Sequence, residues 1–220
     1  QNVCDLCYMR LWLLLLLTFT LWLTGCKNRT PIERSFYYWQ SDFKLTDAMQ
    51  TALKETGVTK LYIKFFDITW NQESAQPMPV ADIRFSTPVP AQTKVVPVVF
   101  ITNQTLSKLD TTGITLLAFK IAKRIEGTIA SNHLESPEEI QIDCDWTEGT
   151  REKYFLLLSE LQKFPLYQNT IWSATIRLHQ VKFMENTGIP PVDRGMLMFY
   201  NMGNIEDIDA ANSIYDKKTA

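Results

Sequence analysis

Residues 139–164, EIQIDCDWTEGTREKYFLLLSELQKF, carry the pattern that decides the fold prediction. Apolar and polar residues alternate through residues 139–146, which predicts a strand with one polar face. Residues 150–164 predict an amphipathic helix, because four apolar residues recur at helical spacing on one stripe. These residues are Tyr154, Leu157, Leu158 and Leu161. A strand followed by such a helix is the repeating unit of α/β proteins with a parallel sheet.

The same alternation of strands and helices extends in both directions along the chain. We predict five further strands, at residues 35–40, 60–66, 94–101, 170–178 and 195–200. Further helices are predicted at residues 46–56, 116–125 and 205–215, the first ending at Gly57 and the second near Gly127. Residues 76–92 are rich in proline and are predicted to be irregular.

Six strands that alternate with helices favour a (β/α) TIM-type barrel. A dinucleotide-binding sheet is disfavoured, because no glycine-rich turn follows the first strand. A complete barrel has eight strands and about 250 residues. We therefore expect an α/β fold with an incomplete barrel over residues 35–220, in which about six of the eight strand–helix units are present and the C-terminus is truncated. An open six-stranded sheet is the alternative.

The N-terminal residues resemble a bacterial export signal. From Met9 the sequence runs MRLWLLLLLTFTLWLTGC, in which Arg10 precedes an apolar stretch too short to span a bilayer comfortably. The small residues before Cys26 resemble the lipobox of lipoproteins, so residues 1–25 are interpreted as upstream residues and a signal peptide. The resemblance implies a lipid on Cys26, a tether at residues 26–34 and anchoring to a membrane of the bacterial cell envelope. An uncleaved N-terminal anchor is the alternative.

Composition excludes one class of partner and indicates no cofactor. The net charge is −2 and the pI about 5.8, with no basic stripe, so no nucleic-acid partner is expected. After processing only Cys144 would accompany the lipidated Cys26, so no internal disulfide is expected. No metal site is predicted either. Asp143, Asp145 and His179 are suitable ligand types, but their spacing does not indicate a site.

Polar residues gather where a (β/α) barrel has its active site, at the carboxyl ends of the strands. On the fourth predicted strand, Gln141, Asp143 and Asp145 share one face, and Glu148 follows in the next loop. Buried carboxylates are costly unless paired, and neighbouring carboxylates drive their pKa values apart, which suits acid–base chemistry. The alternative is a structural network in which Arg177 neutralises the aspartates.

Other strand ends supply further candidates. Thr175, Arg177 and His179 share one face of the fifth predicted strand, with His179 expected at the strand end. Tryptophan rings can stack on sugars, although aromatic strand residues often belong to a core. The tryptophans in question are Trp39, Trp70 and Trp146. The remaining strand-end candidates are Gln40, Lys64, Asp67, Met196, Met198, Tyr200 and Asn201.

Two of these segments resemble a known enzyme family. EIQIDCDWTEG resembles D-x-x-D-x-D-x-E, the fourth-strand signature of family 18 glycoside hydrolases (chitinases and relatives). Asp143 and Asp145 fall on its two inner aspartates. LMFYNMG resembles the sixth-strand Met-x-Tyr-Asp of that family, with Met198 and Tyr200 matching. The two matches occur in the order that the family requires.

Three positions depart from the family pattern, so the catalytic motif is degenerate. Ile140 stands at the first aspartate position. Thr147 stands where the family has its catalytic glutamate, and Glu148 comes one residue late. Asn201 replaces the aspartate of the sixth strand.

The resemblance implies a glycoside-hydrolase mechanism, in which the glutamate protonates the glycosidic oxygen while an aspartate and the tyrosine orient the substrate's N-acetyl group. The catalytic candidates are Asp143, Asp145, Glu148 and Tyr200. The substrate-binding candidates are Trp39, Trp146, Arg177, His179 and Asn201. We therefore expect a lipoprotein of glycoside-hydrolase type that acts on a carbohydrate. The alternatives are a non-catalytic barrel that binds a glycan or protein partner, and a metal-dependent hydrolase.

Overall fold

The computed structural model describes residues 32–200 of the chain. The chain divides into two units, Gln1–Glu33 and Arg34–Ala220, and every described strand and helix belongs to the second. Three predictions lie outside the described residues. They are the export signal, the lipid site at Cys26 and the helix at residues 205–215.

The described residues form nine strands and six helices. In chain order the strands are β1 (Ser35–Tyr38), β2 (Asp42–Phe43), β3 (Lys60–Asn71), β4 (Gln76–Val80), β5 (Arg84–Phe85), β6 (Lys94–Ile101), β7 (Glu139–Cys144), β8 (Ile171–Arg177) and β9 (Arg194–Met198). The helices are α1 (Asp47–Thr56), α2 (Asn103–Lys108), α3 (Thr111–Ser131), α4 (Arg151–Gln162), α5 (Leu178–Lys182) and α6 (Met184–Thr187). Short 3-10 turns at Glu148–Thr150 and Pro165–Tyr167 lie on either side of α4.

Six strands form one parallel sheet in the spatial order β1-β3-β6-β7-β8-β9. Chain order and spatial order agree, so each connection advances by one strand, as it does in a barrel. These are the six strands that the sequence predicts. Their parallel pairing confirms the α/β class.

The sheet curls into a half-barrel. The Tyr37 hydroxyl on β1 donates a 2.6 Å hydrogen bond to Oε1 of Gln141 on β7, three strands away. In a flat sheet these two strands would lie about 14 Å apart. The curvature therefore brings side chains from distant strands of the sheet together on its concave face.

Residues 76–92 are more regular than predicted. Strand β4 pairs antiparallel with the end of β3, and β5 pairs in parallel with β2. Pro77 and Pro79 are compatible with β4 because this strand pairs with β3 alone, so no second ladder requires their missing N–H groups. The expectation of an irregular segment is therefore wrong for this part of the chain.

Helix α1 matches its prediction at both ends. The Thr46 side chain caps the N-terminus by accepting a hydrogen bond from the Met49 N–H at 3.3 Å. Gly57 ends the helix with a φ of 64°, a left-handed conformation that glycine adopts without strain.

Helix α3 is longer than predicted, with 21 residues. It begins behind Asp110, whose carboxylate accepts a 2.7 Å hydrogen bond from the Gly113 N–H. Gly127 does not end the helix, and Ile129 beyond it still packs on the core. Packing of the helix outweighs the roughly 1 kcal/mol that a glycine costs inside a helix.

The main apolar core lies between the helices and the convex face of the sheet. Strand residues such as Ile63, Ile142 and Trp172 contribute to this core. The predicted stripe of α4 is fully buried in it, at Tyr154, Leu157, Leu158 and Leu161. A separate small apolar cluster on the concave face contains Tyr62, Val96 and Val98, with Met196 packed against it.

None of the helices within residues 32–200 is both long and apolar enough to cross a membrane.

Candidate functional site

Strand β7 separates apolar from polar side chains in the predicted way. Its apolar residues belong to the helix-covered core, namely Ile140, Ile142 and Cys144. Its polar residues alternate with them and are also buried, namely Glu139, Gln141 and Asp143. Buried polar groups need partners, so the concave face must supply them.

At the amino end of β7, Glu139 supplies one such network. Its carboxylate lies 3.8 Å from the Lys60 ammonium and 3.3 Å from the Arg194 guanidinium. The Tyr62 hydroxyl donates a further hydrogen bond to Glu139 at 3.0 Å. These contacts fill the concave face at its amino end and make a polar floor for the space above.

A cavity of about 530 Å³ opens at the carboxyl ends of the six parallel strands. This volume is in the range of small-molecule sites. Its lining comprises Tyr37, Trp39, Lys64, Asp67, Phe100, Asp143, Asp145, Arg177, Met198 and Tyr200. Because all six strands contribute to it, the cavity exists only through the curvature of the sheet.

Arg177, the last residue of β8, contacts three other residues that line the cavity. Its Nη2 donates to Oδ1 of Asp143 at 3.0 Å, and its Nε donates to Asp145. Its Nη1 donates to the Tyr200 hydroxyl oxygen at 2.8 Å, and the guanidinium carbon lies 5.7 Å from the centre of the Tyr200 ring. One cation thus positions both aspartates and the tyrosine.

The two aspartates differ in their surroundings. Asp143 is 2% exposed, whereas the Asp145 side chain is 53% exposed. Burial raises the pKa of Asp143 above its ordinary value, although the hydrogen bond from Thr175 and the charge of Arg177 oppose that rise. Asp143 therefore holds its proton to higher pH than a solvated aspartate does.

A β-bulge shapes the opposite wall. The pairing of β3 with β6 shifts between Lys64 and Phe66, so that Phe65 is an extra residue on β3. Phe65 and Phe66 both pack in the helix-covered core, whereas Lys64 and Asp67 both line the cavity. Without the bulge, residues three apart on a strand would point to opposite faces.

Aromatic rings supply the apolar part of the lining. Trp39 is 43% exposed and Tyr200 38% exposed, so both rings are available to a ligand. The Tyr37 ring lies against Tyr62, with ring centres 4.9 Å apart. Burial raises the pKa of Tyr37, so its hydroxyl stays a neutral donor, here to Gln141.

The structure brings most of the sequence-predicted candidates together in this cavity. It collects Trp39, Asp143, Asp145, Arg177 and Tyr200, and also the strand-end residues Lys64, Asp67 and Met198. Asn201 lies outside the described residues. Within residues 32–200, no three His, Cys, Asp or Glu side chains converge in a way that would hold a metal ion.

Three of the catalytic and substrate-binding candidates lie outside the cavity lining. Trp146 has no exposed surface; it stacks on Tyr154 and its indole N–H donates to the Thr187 carbonyl, so the prediction of a sugar contact is wrong for this residue as the structure has it. Glu148 is exposed in the turn before α4, with Asn186 donating to it at 3.5 Å.

His179 is the third of these candidates outside the cavity lining. Strand β8 ends at Arg177, because Gln180 Oε1 accepts the Arg177 N–H at 2.8 Å and α5 begins at Leu178. His179 is therefore an exposed helix residue and does not share the face of Arg177.

Tyr37 and Phe100 line the cavity but were not candidates in the sequence. Tyr37 lies two residues before Trp39 in the strand predicted at residues 35–40, so period-two spacing could have identified Tyr37 as a candidate. Phe100 lies in a nearly continuous apolar strand, where spacing does not separate the two faces.

No protein-family model matches the sequence, and no curated protein matches it in sequence either. Solved structures are similar in fold. A chitinase from Chromobacterium violaceum ATCC 12472 matches with a TM-score of 0.50 and 10% identity, over 79% of this chain and 57% of the chitinase. The spore cortex-lytic enzyme SleL of Bacillus cereus gives a TM-score of 0.44 at 16% identity, over 79% of this chain and 44% of SleL.

SleL of Bacillus megaterium QM B1551 gives a TM-score of 0.49 at 12% identity, over 80% of this chain and 44% of that enzyme. The chain thus spans roughly half the length of the solved structures it matches. At such identities the likeness to the chitinase concerns the fold alone.

Proposed function

We propose that this chain binds a carbohydrate in its concave cavity, as a (β/α) barrel of glycoside-hydrolase type. The observation that carries the proposal is a cavity in which exposed aromatic rings and carboxylates meet at the carboxyl ends of parallel strands. Sugar rings present apolar C–H faces that stack on aromatic rings, and hydroxyl groups that donate to carboxylates. The fold shared with a chitinase and the family 18 motif resemblance support the proposal.

The barrel type is part of the same proposal. The six parallel strands follow the order that the first six strands of a TIM-type barrel would have. The site candidates lie at the carboxyl ends of these strands, where barrel enzymes hold their ligands.

Binding without hydrolysis is the form of the proposal that the geometry supports best. Thr147 stands at the position of the family's catalytic glutamate, and Glu148 is exposed outside the cavity lining. Asp145, which the motif places beside the glutamate, is held by Arg177. A general acid must come within hydrogen-bond reach of the oxygen that it protonates, and Glu148 does not face the cavity.

Hydrolysis is the second candidate function, and Asp143 is the observation that favours it. Burial raises the pKa of this carboxyl group, which lines the cavity, so it retains a proton to higher pH than a solvated aspartate does. A carboxylic acid with a raised pKa is the usual proton donor of glycosidases. A metal-dependent hydrolase has no such support from the described residues.

A screen of the full chain tests both forms. Binding and release of reducing ends are measured with N-acetylglucosamine polymers and peptidoglycan fragments, in parallel with Asp143→Asn, Asp145→Asn and Glu148→Gln. Glu152→Gln is the matched control, since Glu152 is exposed on α4 four residues further along. Saturable binding without turnover supports the binding form. Turnover that Asp143→Asn abolishes and Glu148→Gln leaves intact supports hydrolysis with Asp143 as the proton donor, whereas turnover that Glu148→Gln abolishes would contradict the role given to Asp143. No binding to any member of the panel contradicts the proposal.

We further propose that the chain is exported and lipid-anchored through Cys26, as its N-terminal sequence predicts. Expression with an alkyne-labelled palmitate tests this, with Cys26→Ser as the comparison. Label should enter the native chain and be absent from the variant. Equal labelling of both chains would contradict the anchor.

A further inference from the structure

Lys64 and Asp67 form a charged pair in a corner of the cavity that the family resemblance does not involve. The Lys64 ammonium lies 2.9 Å from Oδ2 of Asp67, and their side chains are 10% and 17% exposed. Trp39 closes the corner, with the Lys64 nitrogen 5.7 Å from the centre of its ring. Burying two charged groups carries a desolvation cost that a single contact rarely outweighs.

The backbone is shaped so that both groups reach the cavity. The bulge at Phe65 breaks the regular pairing of β3 and β6, and it places Asp67 on the same face as Lys64. A regular strand would have buried this carboxylate on the apolar face of the sheet, among the core residues of the helices. Bulges are frequent next to binding sites, where they redirect a side chain.

One oxygen of the Lys64–Asp67 pair lacks a hydrogen-bond donor among the residues that the structure describes. Oδ1 of Asp67 is buried, and it has no hydrogen-bond partner among residues 32–200. Its neighbour Oδ2 is occupied by Lys64. A buried carboxylate oxygen without a donor is costly, so a ligand that donates a hydrogen bond to the partly exposed Asp67 carboxylate in the cavity would offset that cost.

The charges of the cavity indicate what kind of ligand this is. Its described lining holds two cations, Lys64 and Arg177, and three carboxylates, Asp67, Asp143 and Asp145. Their net charge is −1 when all are ionised. Each cation is already bound to a carboxylate, so an anionic sugar would find no free positive charge and would be repelled.

We propose that the Lys64–Asp67 pair is a specificity subsite for a neutral sugar ring that stacks on Trp39. The Asp67 carboxylate accepts a hydrogen bond from a hydroxyl or amide N–H of that ring. The Lys64 ammonium, which has donors left beyond Asp67, donates to an adjacent oxygen. This inference rests on the proposed carbohydrate-binding function and assigns it a substrate class and a selecting residue.

The experiment measures calorimetric affinity of the full chain for three oligosaccharides of similar length. They are the N-acetylglucosamine trimer, the cellulose trimer and the anionic galacturonate trimer. Asp67→Asn is the informative variant, because its amide oxygen will turn to Lys64 and its NH₂ group will then replace the acceptor in the cavity. We expect the affinity of the preferred neutral trimer to fall about tenfold or more, as for loss of a hydrogen bond to a charged group.

Two further variants keep the result interpretable. Asp82→Asn removes a carboxylate that is paired with Arg124 outside the cavity, and it should leave affinity unchanged. If Asp67→Asn does not fold, the double variant Lys64→Met with Asp67→Leu removes both charges together and should show the same loss of affinity. Thermal unfolding followed by circular dichroism verifies folding of each protein.

The outcomes separate this inference from the proposed function. Binding of a neutral trimer by the native chain, with the expected loss in the variants, supports the subsite. Equal affinity of native chain and variants overturns the subsite while the carbohydrate function stands. Preference of the native chain for the galacturonate trimer also overturns it. No binding of any trimer overturns the function and the subsite together.

Discussion

The two faces of the curled sheet differ in composition and in what they contribute. The convex face is apolar and packs against helices, with residues such as Ile63 and Ile142 fully buried. The concave face buries charged and polar side chains, among them Glu139, Gln141 and Asp143. A single strand, β7, supplies both faces by alternation. One short segment can thus contribute both to the stability of the fold and to its candidate site.

The energetics of the two faces differ accordingly. A fully buried aliphatic side chain contributes about 1.5 to 3 kcal/mol. A buried ion pair contributes little in net terms, because the desolvation cost offsets the attraction between the charges. The concave face is thus a weak source of stability, and the proposed carbohydrate site gives a reason for the placement of its charges.

The largest expected effect follows from breaking the concave network at Arg177. Arg177→Met leaves Asp143 buried without a countercharge, which should lower the free energy of unfolding by about 3 to 5 kcal/mol at neutral pH. Urea denaturation measures this. The double variant with Asp143→Asn should recover part of the loss. A loss below about 1 kcal/mol would show that the pair is not a coupled buried network.

Truncation on the convex face should be next in size. Leu158→Ala removes part of a fully buried side chain of α4 and should cost about 2 to 5 kcal/mol. Because Leu158 contacts the core and not the cavity, the affinity of the folded variant for a bound glycan should not change. Urea denaturation and calorimetry of the same sample give both values. A variant of normal stability and reduced affinity would reverse the roles assigned to the two faces.

The raised pKa of Asp143 should be visible in the pH dependence of the free energy of unfolding. Its pKa is raised in the folded chain, so the folded state holds a proton that the unfolded state has already released. The contribution of this residue to stability is therefore present at low pH and is lost as the pH rises from the ordinary aspartate value through the raised one. Comparing unfolding free energies of native chain and Asp143→Asn across this window isolates the effect. A difference between the two proteins that is constant with pH would contradict the raised pKa.

The smallest effect is expected for an exposed ion pair. Lys123 and Glu126 lie three residues apart on α3, 2.7 Å from each other, and both are largely exposed. Glu126→Gln should change the free energy of unfolding by less than about 0.5 kcal/mol, since solvent screens such pairs. The same urea titration serves as a baseline for Arg177→Met. A cost similar to that of Arg177→Met would mean that burial is not what makes the concave network important.

Much of the fold was accessible from the sequence, because hydrophobic periodicity reports which face a residue occupies. The alternation in residues 139–146 correctly predicts the two faces of β7, and helical spacing correctly predicts the buried stripe of α4. The same counting brings Asp143, Asp145 and Arg177 to one site. What periodicity cannot provide is the point where a regular element stops.

The incorrect predictions concern points where a strand ends or bulges. Period-two counting assigns His179 to the face of Arg177, but the hydrogen bond from the Arg177 N–H to Gln180 starts a helix one residue after Arg177. The bulge at Phe65 depends on pairing with β6, a contact distant in sequence. Period-two counting from Ile140 places Trp146 on the apolar face of β7, so its stacking on Tyr154 in the core agrees with the spacing, and the error lay in taking its ring as a sugar contact. At His179 a local hydrogen bond overrides the period-two pattern, and at Phe65 a pairing distant in sequence does so.

The most direct test of the concave cavity as the ligand site is a crystal structure of the full chain soaked with the N-acetylglucosamine trimer. We expect one sugar ring stacked on Trp39, with a hydroxyl or amide group within hydrogen-bond distance of the Asp67 carboxylate. Sugar density elsewhere on the molecule, with the cavity between Trp39 and Tyr200 holding only water, would contradict the assignment of this face as the binding site.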